Sequence, residues 1–195
     1  MGGIELFALQ SSIVFSSPNF LSHKSTIHLG CDSFIEISTG SLGQGLSIGV
    51  GASISNKLDQ IPSNTYILLG DGECQEGQVW EAIMLAGEYK LDNLIAIVDY
   101  NKGQLMDNVK DIINLEPFKD KWEKFGWHAQ TINGHDINEL LNSYKIAKSK
   151  ANKPSVIIAN TLKGKGISFM EEEGYKWHGK KPNIEEYKLA LKELE

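Results

Sequence analysis

Apolar residues recur along this chain with two different periods, and the alternation between them outlines the fold. Residues 78–89 place Val79, Ala82, Ile83 and Ala86 at i, i+3, i+4 and i+7, the spacing of one helix face. Residues 65–69, 94–98 and 155–160 are instead short, dense apolar runs, the mark of strands buried on both faces. Residues 117–127 predict a short helix with aromatics on one side and lysines on the other. Asp136-Ile137-Asn138-Glu139 has the form of a capping box, and the helix after it is expected to be lined by Ile137, Leu140, Leu141 and Tyr144. Asn183 to Glu186 repeats that signature before a final helix carrying Tyr187 and Leu191.

Residues 42–58 keep near-helical spacing but contain Gly43, Gly45, Gly49 and Gly51. Each glycine weakens a helix by about 1 kcal/mol relative to alanine, so close packing or a bound ligand is the expected reason for them. Residues 1–35 mix short apolar runs such as Ile13-Val14-Phe15 with Ser-rich turns and show no clean period. They divide off as a divergent N-terminal segment, leaving residues 36–195 as the domain. Strands alternating with helices predict an α/β fold, a mostly parallel sheet flanked by helices.

Composition narrows the function. A chain of 195 residues with 41% apolar and 23% charged positions suits one soluble globular domain. A net charge of −6, with no basic cluster to offset it, argues against nucleic-acid binding. Cys31 and Cys74 are too few for a disulfide framework, so a reducing, cytoplasmic setting is expected, with Cys74 a small buried thiol. No apolar run is long enough to span a membrane, and residues 1–9 lack a basic n-region and include Glu5, unlike a signal peptide.

Candidate chemistry gathers at Gly70-Asp71-Gly72 and Asn101. Each follows an expected strand, so a carboxylate and an amide are placed to meet at one edge of a parallel sheet. The glycines let the backbone turn tightly and approach a ligand. Mg²⁺ that carries substrate phosphates takes one or two carboxylates and completes its shell with neutral oxygens and water. One Asp, one Asn and a diphosphate match that need, although Gly-Asp-Gly is also a common turn.

Other segments leave two readings open. Thr39-Gly40-Ser41-Leu42-Gly43-Gln44-Gly45 precedes a helix, where free N–H groups could hold an anion or a cofactor ring, or the glycines could serve packing alone. Its G-x-x-G-x-G order is not the dinucleotide fingerprint. Lys163 follows a strand and could meet a phosphate or be a solvated loop lysine. His178, beside Trp177, could bond a phosphate or move a proton. His135, ahead of a helix cap, is expected to form structural hydrogen bonds. His23, His28 and His128 show no metal-ligand spacing. Glu76 and Glu81 are expected at a helix start, where the macrodipole favours acid.

The run Ser38-Thr-Gly-Ser-Leu-Gly-Gln-Gly-Leu-Ser47 resembles transketolase, as do Leu69-Gly-Asp-Gly-Glu-Cys-Gln-Glu-Gly-Gln-Val-Trp-Glu81 and Asp92-Asn-Leu-Ile-Ala-Ile-Val-Asp-Tyr-Asn101. The tail from Lys163-Gly-Lys-Gly166 through Trp177-His178-Gly179 is similar to the same family. The resemblance covers residues 36–195 and is nearest to the separately encoded N-terminal subunit, with a shortened N-terminus.

That resemblance implies a thiamin-diphosphate-binding fold, of which this chain is the diphosphate-binding domain. It implies transfer of a two-carbon ketol unit from a ketose to an aldose, within carbohydrate metabolism and the pentose phosphate pathway. Asp71 and Asn101 would ligate Mg²⁺ (or Ca²⁺ or Mn²⁺) together with the Gly103 carbonyl. Gly72 and Asn101 would touch the diphosphate, and Gly40, Ser41 and Leu42 the aminopyrimidine. Lys163 and His178 would meet the cofactor or the reacting sugar, with His178, Glu76 and Glu81 the catalytic set and the two glutamates at the dimer interface between two active sites.

The implied partner is a C-terminal transketolase subunit carrying the pyrimidine-binding domain, in a homo- or hetero-oligomer. Residues 1–35 do not supply the family's opening helical segment, and the acid that activates the aminopyrimidine would come from that partner. Two other readings compete: an inactive transketolase-like binding module, and a component of another thiamin-diphosphate enzyme.

Overall fold

A computed structural model describes residues 12–17 and 37–195 of the chain. Its frame is a six-stranded sheet in the order β2-β1-β3-β4-β6-β5. β3 (Asn64–Gly70), β4 (Leu94–Tyr100), β6 (Ser155–Asn160) and β5 (His128–Asn133) run parallel. β1 (Ser12–Ser17) pairs antiparallel with β3 and with the short edge strand β2 (Ile37–Thr39). The sheet is thus mostly parallel, with an antiparallel margin. β1 arises from the Ile13-Val14-Phe15 run, where no periodicity announced a strand. Residues 1–9, His23, His28 and Cys31 lie outside the described residues.

Burial explains which runs became strands. In β3, Thr65, Ile67 and Leu69 are buried while Tyr66 and Leu68 are half-buried on the other face. Leu94 to Val98 of β4 are buried throughout, as a central strand covered on both sides must be. One face carries α1 (Gln44–Leu58), α2 (Gly77–Glu88) and α4 (Phe118–Lys124) over a core that includes Leu46, Ile67, Ile83, Leu94 and Trp122. The opposite face is smaller: Ile95, Ile97 and Ile157 pack with Ala147 and Tyr144 of α5 (Ile137–Lys148). The remaining helices are α3 (Val109–Ile112), α6 (Ser168–Glu173) and α7 (Ile184–Leu194).

Both expected caps form. The Asp136 side chain accepts from the N–H groups of Asn138 and Glu139, and Asn183 makes a full capping box with Glu186. The inner face of α5 differs from expectation. Ile137 and Leu141 are exposed, and the inward positions are Leu140, Ser143, Tyr144 and Ala147, again at i, i+3, i+4 and i+7. α5 lies on the thinner layer of the sheet, where small residues set the approach and the leucine at 141 has nothing to cover it. α1 starts at Gln44 rather than residue 42, because Gly43 takes a left-handed φ of 81° and ends the turn before it. Packing accounts for Gly49, where a Cβ would come within 2.1 Å of the Ile67 side chain.

Gly87 is the tightest position. A Cβ there would lie 1.8 Å from the Phe125 carbonyl oxygen, a backbone atom that cannot rotate aside. Gly87→Ala is expected to lower stability by about 2 kcal/mol, the clash outweighing the gain in helix propensity. For a chain of this size that is about 4–8 °C in Tm. An unchanged melting midpoint would show that α2 and the 125–127 turn separate freely.

Candidate functional site

β3, β4 and β6 are neighbours, so the segments leaving their carboxyl ends emerge side by side. Asp71 follows β3, Asn101 follows β4, and Thr161 to Gly166 follow β6. Asp71 is buried, and its carboxylate reaches sideways: Oδ1 accepts from the Gly72 N–H at 2.8 Å and Oδ2 from the Lys102 N–H at 2.6 Å. The Asp71 N–H donates to the Asp99 carbonyl at 3.2 Å. Asn101 is held at both ends of its amide. Nδ2 donates to Asp99 Oδ2 at 2.7 Å, and Oδ1 accepts from the Gly103 N–H at 3.0 Å. The two loops are therefore stitched together around Asp71, Asn101 and Gly103.

Glycine is required here by space. At Gly72 a Cβ would meet the Gln104 side chain at 2.9 Å, and at Gly103 the Tyr175 Cβ at 3.0 Å. Burial pushes the Asp71 carboxyl up from 3.8 to about 7; the two N–H donors and the Lys163 ammonium oppose that rise, while Asp99 adds to it. Lys163 also faces His178, which burial, and then this ammonium, hold below the ordinary histidine range. Asp71, Lys163 and His178 thus share one electrostatic neighbourhood. His178 Nδ1 is buried without a hydrogen-bond partner.

The Gly-rich run forms a second turn, braced by residues just beyond Asp71. The buried Glu73 carboxylate accepts from the Gly43 N–H at 2.7 Å and from the Gly70 N–H at 3.2 Å. Gln78 donates to the Leu42 carbonyl at 2.6 Å and accepts from Gln44 Nε2 at 2.8 Å. Gly40, Ser41 and Leu42 are left exposed at the surface of this turn. Pattern reading missed Glu73 and Gln78 as braces of this turn, since each acts on residues some thirty positions distant. Asp99, two residues before Asn101, was missed likewise.

Other expectations meet mixed outcomes. Cys74 is buried, its thiol pushed well up by burial first and by the Glu73 and Asp71 charges next. His135 is a structural acceptor, taking the Leu162 N–H on Nε2 at 2.8 Å. Glu76 is the N-cap residue just before α2, but its side chain makes no capping bond. Glu81 lies a turn further along, beyond the reach of the helix-start argument, because α2 starts at Gly77. Both glutamates are exposed.

Residues 23–194 match the family model described as the transketolase, thiamine diphosphate binding domain. The chain belongs to the transketolase family. It is 47% identical over 161 residues to the 6-deoxy-6-sulfo-D-fructose transketolase subunit SqwG of Clostridium sp. (strain MSTE9), covering 83% of this chain and 58% of that one. Against an apulose-4-phosphate transketolase subunit of Phocaeicola vulgatus the identity is 41% over 160 residues, covering 82% and 57%. The crystal structure of transketolase from Campylobacter jejuni superposes with a TM-score of 0.74 at 38% identity, over 81% of this chain and 26% of that one. The chain thus spans somewhat over half the length of these two subunit relatives.

A transketolase domain of this family takes thiamin diphosphate with a divalent cation. The residues present fit that group. Asp71 and Asn101 each keep lone pairs beyond those used by backbone donors. His178, on which the Lys163 charge acts, keeps a buried Nδ1 without a hydrogen-bond partner. Among the described residues no cluster of three or more His, Cys, Asp or Glu could hold a metal ion. Among them, too, no helix is long and apolar enough to cross a membrane.

Proposed function

We propose that this chain is the N-terminal, diphosphate-binding subunit of a transketolase that transfers a two-carbon ketol unit from a ketose to an aldose, completed by a separate pyrimidine-binding subunit. The observation that carries this reading is the convergence of Asp71, Asn101 and Gly103 at adjoining strand ends, with Lys163 acting electrostatically on both Asp71 and His178. Relatives covering the same stretch are themselves named as transketolase subunits, which supports a partner chain.

Thiamin diphosphate supplies a nucleophilic carbon that breaks and re-forms the carbon–carbon bond. The chain's own residues bind and orient. Asp71, the Asn101 amide oxygen and the Gly103 carbonyl hold the cation, and Gly72 and Asn101 meet the diphosphate. Gly40, Ser41 and Leu42 offer the turn for the aminopyrimidine. Lys163 offers a cation to phosphate. His178, kept neutral by burial, is able to accept or donate a hydrogen bond at Nδ1. Glu76 and Glu81 are exposed on and beside α2 with Met84, Leu85 and Tyr89, a surface of mixed acid and apolar character suited to a subunit contact. Substrates on this reading are sugar phosphates of cytoplasmic carbohydrate metabolism, including the pentose phosphate pathway.

The test is reconstitution. With thiamin diphosphate and Mg²⁺, the chain alone should give no ketol transfer, and addition of the pyrimidine-binding subunit should start it. Cofactor binding without transfer in the mixed sample would count against the enzyme reading.

Asp71 also sets a pH dependence. Its carboxyl is raised from 3.8 to about 7 in the folded metal-free chain, so between those values the folded state holds a proton that the unfolded state has lost. Metal-free stability therefore falls as pH rises from about 4 to about 7. A cation must displace that proton, so the half-saturating Mg²⁺ concentration should rise about tenfold per unit of pH below 7. Titrations from pH 5.5 to 8 read this directly, and a flat profile would exclude the buried carboxyl as ligand.

A further inference from the structure

Three interactions converge on Asp99. Its carbonyl accepts the Asp71 N–H at 3.2 Å, its Oδ2 accepts Asn101 Nδ2 at 2.7 Å, and its Oδ1 accepts the Thr161 hydroxyl. Thr161 is itself fixed by its N–H, which donates to the Tyr100 carbonyl at 3.3 Å. Asp99 thus joins the segments leaving β3, β4 and β6, which carry Asp71, Asn101 and Lys163.

We propose that Asp99 is a positioning residue that decides which end of the Asn101 amide faces the cation. The two ends of an asparagine amide have nearly the same shape, and only the partners around it distinguish them. A carboxylate accepts and cannot donate, so Asp99 takes the NH₂ end. The Gly103 N–H donates and cannot accept, so it takes the oxygen. Together they leave Oδ1 on the side of the 101–103 loop. A flipped amide would present NH₂ there, and Mg²⁺ takes oxygen ligands only. Thr161 braces the carboxylate so that it keeps its orientation toward Asn101.

This inference rests on the metal reading of the site, and the experiment separates the two. The full chain at saturating thiamin diphosphate is titrated with Mg²⁺, with the thermal midpoint as readout, for wild type, Asp99→Ala and Asp99→Asn. Loss of an outer partner of a metal ligand typically costs 10–100-fold in affinity. Asp99→Ala should raise the half-saturating Mg²⁺ concentration by about 10–100-fold. Asp99→Asn retains an oxygen for Asn101 and an NH₂ for Thr161, so it should stay within about tenfold of wild type and well below the alanine variant.

Equal losses in both variants would assign Asp99 a purely electrostatic part and overturn the positioning role. A wild-type response matched by Asp99→Ala would overturn it as well, leaving the metal site intact. No Mg²⁺ response in wild type would overturn the metal site and this proposal together. Should Asp99→Ala fail to fold, Thr161→Val removes the brace alone. It should raise half-saturating Mg²⁺ several-fold, and an unchanged value would count against the proposal.

Discussion

Asp71→Ala should abolish the stabilisation that thiamin diphosphate and Mg²⁺ give the wild-type chain. At about 100 times Kd, binding to the folded state alone adds roughly 2.7 kcal/mol, which for a protein of this size is about 5–11 °C in midpoint. The variant loses the one carboxylate at the strand ends that sits between the Gly72 and Lys102 N–H groups, and with it the charge that draws the cation in. Its metal-free fold should not suffer in the same way. A buried carboxyl raised to about 7 opposes folding at neutral pH, so its removal offsets part of what the lost hydrogen bonds contributed. The expected signature is a near-wild-type melting curve without cofactor and no shift with it, from calorimetry at pH 7.5 both without and with the partner chain. A variant that still shifts by several degrees would move the metal away from Asp71.

That site was legible because its chemistry lies at strand ends, and strand ends can be read from apolar runs bounded by glycine. Gly70-Asp71-Gly72 and Asn101 needed only the two runs before them to be placed together. The resemblance to transketolase then supplied the names of ligands that spacing alone could not. What stayed hidden were the braces. Glu73 carries no local sign of its partner, and only the folded chain brings it to the Gly43 N–H. Asp99 ended an apolar run like any strand-terminal polar residue, and its link to Thr161 spans sixty-two positions. Such contacts carry no local period.

The fold followed the same division. Buried central strands announce themselves by density, as β4 and β6 did. β1 did not, because an antiparallel strand in a Ser-rich stretch owes its place to pairing with β3. The face of α5 was misjudged for a related reason. Ile137 and Leu141 satisfy a helical period, but burial depends on what the sheet offers beneath them, and there the contacts fall to Ser143 and Ala147.

Trp122→Ala is expected to be the most damaging substitution to stability, at about 3–5 kcal/mol, or about 6–20 °C in midpoint. Trp122 is fully buried and packs edge-on against Phe118 and Trp127, whose ring centroids lie at 6.0 and 4.8 Å, and tilts against Trp80 at 6.3 Å. Its removal opens a cavity under α2, α4 and the start of β5 that rings already fixed by their own bonds are poorly placed to fill. The Trp127 indole donates to the Ile83 carbonyl and the Trp80 indole to the Cys74 carbonyl, each at 2.9 Å. The Trp122 indole N–H, by contrast, is buried without a partner. Trp122→Phe should therefore cost much less, under about 2 kcal/mol, because the lost volume is set against release of an unsatisfied donor. Chemical denaturation of the three chains separates these outcomes. Near-equal losses for the alanine and phenylalanine variants would mean that the indole nitrogen has a partner in solution. A loss below about 1 kcal/mol for alanine would mean that the cluster collapses around the gap. Trp122→Ala should keep the cofactor-induced midpoint shift that Asp71→Ala lacks, since the aromatic cluster reaches the turn after Asp71 only through the Trp80 indole on the Cys74 carbonyl.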